Sequence, residues 1–432
     1  MSEAPDSYRY AVGIIPTRDR ADLAIKAVQS VLEQPGSEVK LMVSDNSTEA
    51  AETERLRDYC HELRDERLRY VRPPRPLAMP SHWDWAINEA LSSYDANHFF
   101  FLSDRMMFKP GALRELLNAA RRYPGSLISY NHDRIVDDQR PIRIEQNLYS
   151  GNLLEVPTLR LSYLYSQALF HHAFPRMVNC LVPRRILEVI KHRFGTVFSS
   201  ISPDFLFCCR CIECLETILY YDKPLTFHYS LDRSNGASIS RGELTRASAD
   251  FRANLAVEEA RRNYATPIPE LNTCANAIYN EYLIAKSETQ SSRFYEVDLD
   301  KYLRVNAEEI KSVVDPSLKL EMQQMLDRHG YTRLNGTQPS RSVQQLLSPR
   351  YIWHKLRSGG EKVLTDRWTK PLWLFVARTL GFTPPAGDRF VFATLQDAID
   401  YINTYPRRNL KNWPWQKEIL KARELPLPKS LD

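Results

Sequence analysis

Glycine is scarce in this chain, 14 residues in 432, and nowhere do two glycines flank a single residue. Without a GxG step neither a dinucleotide-binding fingerprint nor a phosphate-cradling P-loop is present, which removes the two commonest α/β nucleotide-binding modes. No stretch reaches the ~18 consecutive apolar residues of a membrane-spanning helix. The opening MSEAPDSYRYAVG has no basic region followed by an apolar one, so no signal peptide is expected and a cytoplasmic location is. The 7 cysteines are odd in number and unevenly spaced, which argues against a disulfide framework. Internal repeats are also absent.

What is present is an ordinary globular composition, 43% hydrophobic and 26% charged, long enough for two or three domains. The net charge is only +5, but residues 346–432 hold 15 Lys and Arg against 8 Asp and Glu, and five of the 7 tryptophans. The rest of the chain is near neutral. No nucleic-acid partner is expected from this balance.

The first ~130 residues alternate strand and helix patterns, the signature of an α/β unit with a mixed, largely parallel sheet flanked by helices. Residues 9–17, 38–47, 68–74, 97–103 and 126–131 read as strands, and 22–34, 82–94 and 111–123 as helices. Residues 243–331 read as a helical region, 332–345 as a polar linker and 346–432 as a separate basic, Trp-rich unit, a helical C-terminal extension to a catalytic domain at 1–242.

In open α/β sheets, ligands bind outside the carboxyl ends of the strands. Thr17, Arg18 and Asp19 follow the first strand, Asp45, Asn46 and Ser47 the second, and Ser103, Asp104 and Arg105 the fourth. Each set alone could cap a helix. Three converging sets, two of them carrying an arginine, fit a charged ligand better.

The run VGIIPTRDRADLAIKAVQSVLEQ, then VSDNST, then RPPRPLAMPSHWDWAINEA and FFFLSDRMMFKPGAL, resembles the opening of family 2 glycosyltransferases, which have the GT-A fold. The similarity covers roughly residues 9–240. It implies an inverting enzyme that moves a sugar from a nucleotide-diphosphate donor to a hydroxyl of a glycan or lipid-linked acceptor, in surface polysaccharide synthesis. By the resemblance, Thr17, Arg18, Asp19, Asp45, Asn46, Ser47, Asp104 and Arg105 belong to the donor site. Asp204, in SSISPDFLF, matches the aspartate that acts as general base, and a carboxylate suits that task. Its residue-level alternative is an acidic group at the positive end of a helix. His228, Arg233 and Ser234 fall where the family closes a loop over the diphosphate. His82 and Trp83 fall where a sugar could stack.

One departure concerns the metal. The family binds Mn²⁺ or Mg²⁺ through paired aspartates, of which Asp104 is kept while Met106 stands at the second place. Methionine is a poor ligand for a hard cation that prefers oxygen. Arg105 then becomes the candidate to stabilise the departing diphosphate. Two other functions compete: a catalytically silent scaffold that only binds sugar or nucleotide, and a sugar nucleotidyltransferase, although IIPTRDR lacks the latter's Gly-rich loop.

Cys208, Cys209, Cys211 and Cys214 are closely spaced, but on a helix they would point to different faces, so small buried thiols are expected rather than a zinc site. In residues 349–381, Trp353, Trp368, Trp373, Leu372, Leu374 and Phe375 accompany seven Lys and Arg. That is the composition of a helix docking on an anionic membrane surface. The alternative is packing into a small helical domain or a homo-oligomer interface.

Overall fold

The computed structural model describes residues 10–34, 38–147, 149–242, 264–332, 390–404 and 415–427. The N-terminal part runs β1 (Ala11–Thr17), α1 (Ala21–Leu32), β2 (Val39–Asp45), α2 (Ala50–Glu62), β3 (Leu68–Val71), α3 (Met79–Ser93), β4 (His98–Phe101), β5 (Met106–Phe108) and α4 (Ala112–Arg122). There follow β6 (Ile128–Val136), β7 (Ile142–Glu145), β8 (Leu153–Pro157), α5 (Thr158–Ser166), β9 (Cys180–Pro183), α6 (Arg184–Phe194), α7 (Pro203–Cys214), β10 (Thr217–His228) and α8 (Asn235–Arg241). The remaining elements are α9 (Cys274–Thr289), α10 (Leu299–Ile310), α11 (Pro316–Arg328), β11 (Val391–Phe392), α12 (Leu395–Thr404), α13 (Trp415–Leu420) and β12 (Arg423–Leu425).

One mixed sheet runs through the fold in the order β12-β8-β10-β6-β9-β4-β1-β2-β3. It is parallel across β4, β1, β2 and β3, as the alternating sequence pattern requires, and β9 joins this block to the parallel pair β6 and β10 by antiparallel pairing. β1 is buried at all seven positions, AVGIIPT, because helices cover both faces. α1 and α4 turn their apolar residues onto the sheet, with Ala24, Ala27, Val28, Leu113, Leu116 and Ala120 in the main core.

β1 and β4 approach closely at Gly13. A Cβ there would lie 2.5 Å from Cζ of Phe100 and 3.0 Å from Cδ1 of Leu41. Both neighbours are fully buried in paired strands, and the Phe100 ring is wedged edge-on to Phe108. Gly13→Ala is therefore expected to overpack the core and cost roughly 1–3 kcal/mol. Urea unfolding measures this, and an unchanged midpoint would show that the Phe100 ring has room to turn.

The C-terminal part departs from the expected separate unit. β12 extends the sheet beside β8, and β11 pairs with β7. α12 lays Ala398, Ile399 and Ile402 against Ile135 and Phe227, on the back of β6 and β10. The helical region is likewise docked: α9 places Tyr282 and Ala285 in the main core, while a second cluster unites α9, α10 and α11. The expected linker from residue 333 and the expected membrane-docking stretch at 349–381 lie outside the described residues. Among the described residues no helix is long and apolar enough to cross a membrane.

Candidate active site

The loops after β1, β2 and β4 meet at one edge of the sheet. Thr17 Oγ1 donates to Asp104 Oδ2 at 3.0 Å, and Arg20 Nη1 lies 3.7 Å from Asp104 Oδ1. Asp104 is only 4% exposed, so this neutralising cation matters. Its partner is Arg20, one residue past the set collected from the sequence, and not the adjacent Arg105. The signal was there, in the second arginine of TRDR.

The other residues of these loops mostly hold one another. The Asp19 carboxylate accepts from the Thr48 and Glu49 backbone N–H groups, each at 2.8 Å, while the Asp19 N–H donates to Ser47 Oγ at 2.8 Å. Asp45 is fully buried and accepts from the Ser47 N–H at 2.8 Å and from the Tyr70 hydroxyl at 2.6 Å. Asn46 exchanges two hydrogen bonds with the Leu77 backbone, and Arg18 Nη1 donates to the same Leu77 carbonyl. The result is a shaped wall, not a row of free ligands. That wall encloses a recess of about 200 Å³ lined by Asn46, Ser47, Arg72, Pro73, Pro74, Arg75 and Pro76. Arg72 and Arg75 were missed in the sequence, where 68–74 reads as a strand and neither arginine follows it as part of a polar set. Three prolines make this lip stiff.

His82 and Trp83 do not face this recess. His82 is 3% exposed, with Nε2 2.8 Å from Ser44 Oγ, and burial pushes its pKa down to about 3. It is a neutral core histidine, which corrects the expectation of an acceptor contact. Trp83 packs between Phe101 and Phe198, at ring distances of 5.4 and 5.6 Å.

The second half of the site is built on β5, β10 and α7. Met106 is fully buried and pairs with His228 across β5 and β10. Arg105 turns its guanidinium to the end of β10, where Nη1 donates to the Tyr229 and Ser230 carbonyls at 3.5 and 3.4 Å. Burial lowers its pKa, opposed by Asp104, Asp137 and Asp232. Arg233 is tied to Asp22 of α1 by two contacts of 2.7 and 2.9 Å, so it draws the loop after β10 across the β1 end. Ser234 donates its N–H to the Leu231 carbonyl, and its own carbonyl, just before α8, accepts from Ser238 within that helix.

Asp204 sits in the first turn of α7. Burial raises its pKa, and Arg176 is the main opposing charge. The turn before it is clamped: Ser200 Oγ and the Ser202 N–H donate to Glu281 of α9, both at 3.0 Å, and Arg210 grips the Thr196 and Val197 carbonyls at 2.9 Å. Asp19, Met177, Ser200 and Ser230 all hold positive φ, between 53° and 66°, a conformation that costs non-glycine residues and concentrates at functional sites.

The single carboxylate of the motif, Asp104, is taken up by Thr17 and Arg20, and Met106 is sealed in the core. Among the described residues no group of three His, Cys, Asp or Glu is arranged for a metal. Cys208, Cys209 and Cys211 are fully buried on α7, and desolvation pushes their thiols up, away from the thiolate a metal needs.

The profile described as Glycosyl transferase family 2 matches residues 14–188. Asp104 and Arg105 lie inside that segment, and Asp204, His228 and Arg233 beyond it. Protein CgeD of Bacillus subtilis (strain 168) is 22% identical over 185 residues, 42% of this chain and 40% of CgeD. The chain therefore spans less than half the length of that curated relative. Among solved structures, residues 1–349 of S. aureus TarS in complex with UDP-GlcNAc superpose with a TM-score of 0.41 at 13% identity, covering 77% of this chain and 93% of that one. The longer S. aureus TarS structure gives 0.40 at 14% identity, covering 77% and 56%.

Proposed function

We propose, from the family 2 glycosyltransferase match over residues 14–188, that this protein transfers a sugar from a nucleotide-diphosphate donor to an acceptor hydroxyl, with inversion. The observation that carries the proposal is the gathering of Thr17, Arg20 and Asp104 at the sheet edge, beside Arg105 at the end of β10. The recess at Arg72 and Arg75 takes the nucleoside. Arg105 faces the diphosphate, whose charge grows as the glycosidic oxygen leaves. Asp204 accepts the proton of the acceptor hydroxyl as that oxygen attacks the anomeric carbon from the opposite face. The leaving nucleoside diphosphate carries away the electron pair of the broken bond.

The engaged state of Asp104 favours a second function, a binding scaffold without turnover. A screen of nucleotide sugars for thermal stabilisation, with and without Mn²⁺, followed by a transfer assay, separates the two. A stabilising nucleotide sugar that is consumed to give free nucleoside diphosphate is the expected result. Stabilisation with no turnover on any acceptor establishes the scaffold, and release of pyrophosphate a nucleotidyltransferase.

A further inference from the structure

On β6 and β10 the protein leaves nitrogen donors unused. His132 of β6 and His228 of β10 stand with ring centres 4.4 Å apart, and His172 lies 4.7 Å from His132. The Nδ1 of His132 and the Nε2 of His228 are buried and have no hydrogen-bond partner among the described residues. Above them, the Arg176 guanidinium lies 5.3 Å over the Phe205 ring. Its backbone N–H is used, donating to Asn179 Oδ1 at 2.9 Å, and its guanidinium is the main charge felt by Asp204. The next residue, Met177, is held at a φ of +55°.

Buried polar atoms cost free energy when left unpaired, so the two imidazole nitrogens call for a ligand. Burial, followed by the nearby Arg105 and Arg176 at His228 and by His228 and Arg176 at His132, keeps both imidazoles far below their usual range. They are neutral and each offers one N–H, while Arg176 offers charge and a planar fork of donors. The charge of Arg176 favours an oxyanion over a cation, and each neutral imidazole can add one N–H to it.

We propose that Arg176 and His132 form a subsite for an oxyanion carried by the acceptor, a phosphate or carboxylate seated beside the hydroxyl that Asp204 deprotonates. The side is set by Phe205, on which Arg176 stacks and which adjoins Asp204 in the first turn of α7. In an inverting displacement the diphosphate departs on the opposite side of the anomeric carbon. The identity of the anion's carrier rests on the transferase function; the anion subsite itself does not.

The test is calorimetric titration of the full chain with inorganic phosphate, and separately with acetate, at constant ionic strength. Saturable binding is expected in the wild type and in Asp104→Ala, with affinity at least tenfold weaker in Arg176→Gln. Nucleoside diphosphate binding is expected to be unchanged in Arg176→Gln. His132→Gln provides a second variant if Arg176→Gln does not fold, and should weaken phosphate in the same direction. Preference for phosphate or for acetate names the group. Equal phosphate binding in both variants overturns the proposal, as does displacement of phosphate by nucleoside diphosphate, which would put it in the donor site. Failure of the transferase function shows separately, as a wild type that binds phosphate but no nucleotide sugar.

Discussion

Asp204→Asn is expected to remove turnover while leaving donor binding nearly intact, and Asp104→Ala to abolish donor binding. A general base contributes on the order of 10²–10⁴-fold, which sets the size of the first effect. Asn keeps the shape of the side chain in the first turn of α7 and loses only its capacity to take a proton. Asp104, by contrast, holds Thr17 and Arg20 together, so its removal leaves Arg20 without its carboxylate and loosens the donor wall. Calorimetry with the nucleoside diphosphate, beside single-turnover assays, measures both. Equal loss of binding in the two variants would sink the division of roles.

The same base sets a pH dependence. Burial lifts the Asp204 carboxyl above its ordinary value of ~3.9, and Arg176 only partly offsets this. The ionised form is the working one, so activity is present above the raised pKa and lost as pH falls through it. The acid limb of kcat/KM is thus expected at higher pH than an ordinary aspartate would give. A limb at or below ~4 would assign the base to another group.

Arg105→Ala is expected to lower turnover by tenfold or more, each tenfold step being about 1.4 kcal/mol of lost transition-state stabilisation. The wild type should stay active in EDTA. Arg105 is a fixed charge, poised by two carbonyls at the β10 end, where the proposed reaction puts the leaving group. Arg105→Lys keeps the charge but not the planar fork, and should recover part of the loss. Complete inactivation by EDTA, reversed by Mn²⁺, would refute this assignment and return Asp104 to the role of a metal ligand.

Much of this site could be read from the chain, and the misses have a common origin. The loops after β1, β2 and β4 were located because the apolar runs that precede them are local and regular. Thr17, Asp45 and Asp104 stand at or next to those strand ends. What each carboxylate does there was not legible. Asp45 looked like a nucleotide contact but is spoken for by Ser47 and Tyr70. Asp104 has its ion pair with Arg20, which the polar sets after the strands left out. His82 looked like an acceptor contact and lies in the core against Ser44.

By itself the sequence determined the α/β alternation, the edge at which polar groups gather and the resemblance that places Asp204. Periodicity of 2 or 3.6 residues and the residues that interrupt it are properties of short stretches. Only the tertiary structure decided that His132 meets His228 and that Arg176 stacks on Phe205, next to Asp204. It also decided that residues 395–404, far along the chain in a basic tail, cover the back of the strand that ends in His228. Those contacts join positions from 29 residues apart, for Arg176 and Phe205, to more than 150, for Phe227 and Ile399. They depend on strand register and on which face of β6 and β10 each side chain takes, and a one-residue slip in either strand would turn its own histidine, His132 or His228, to the opposite face.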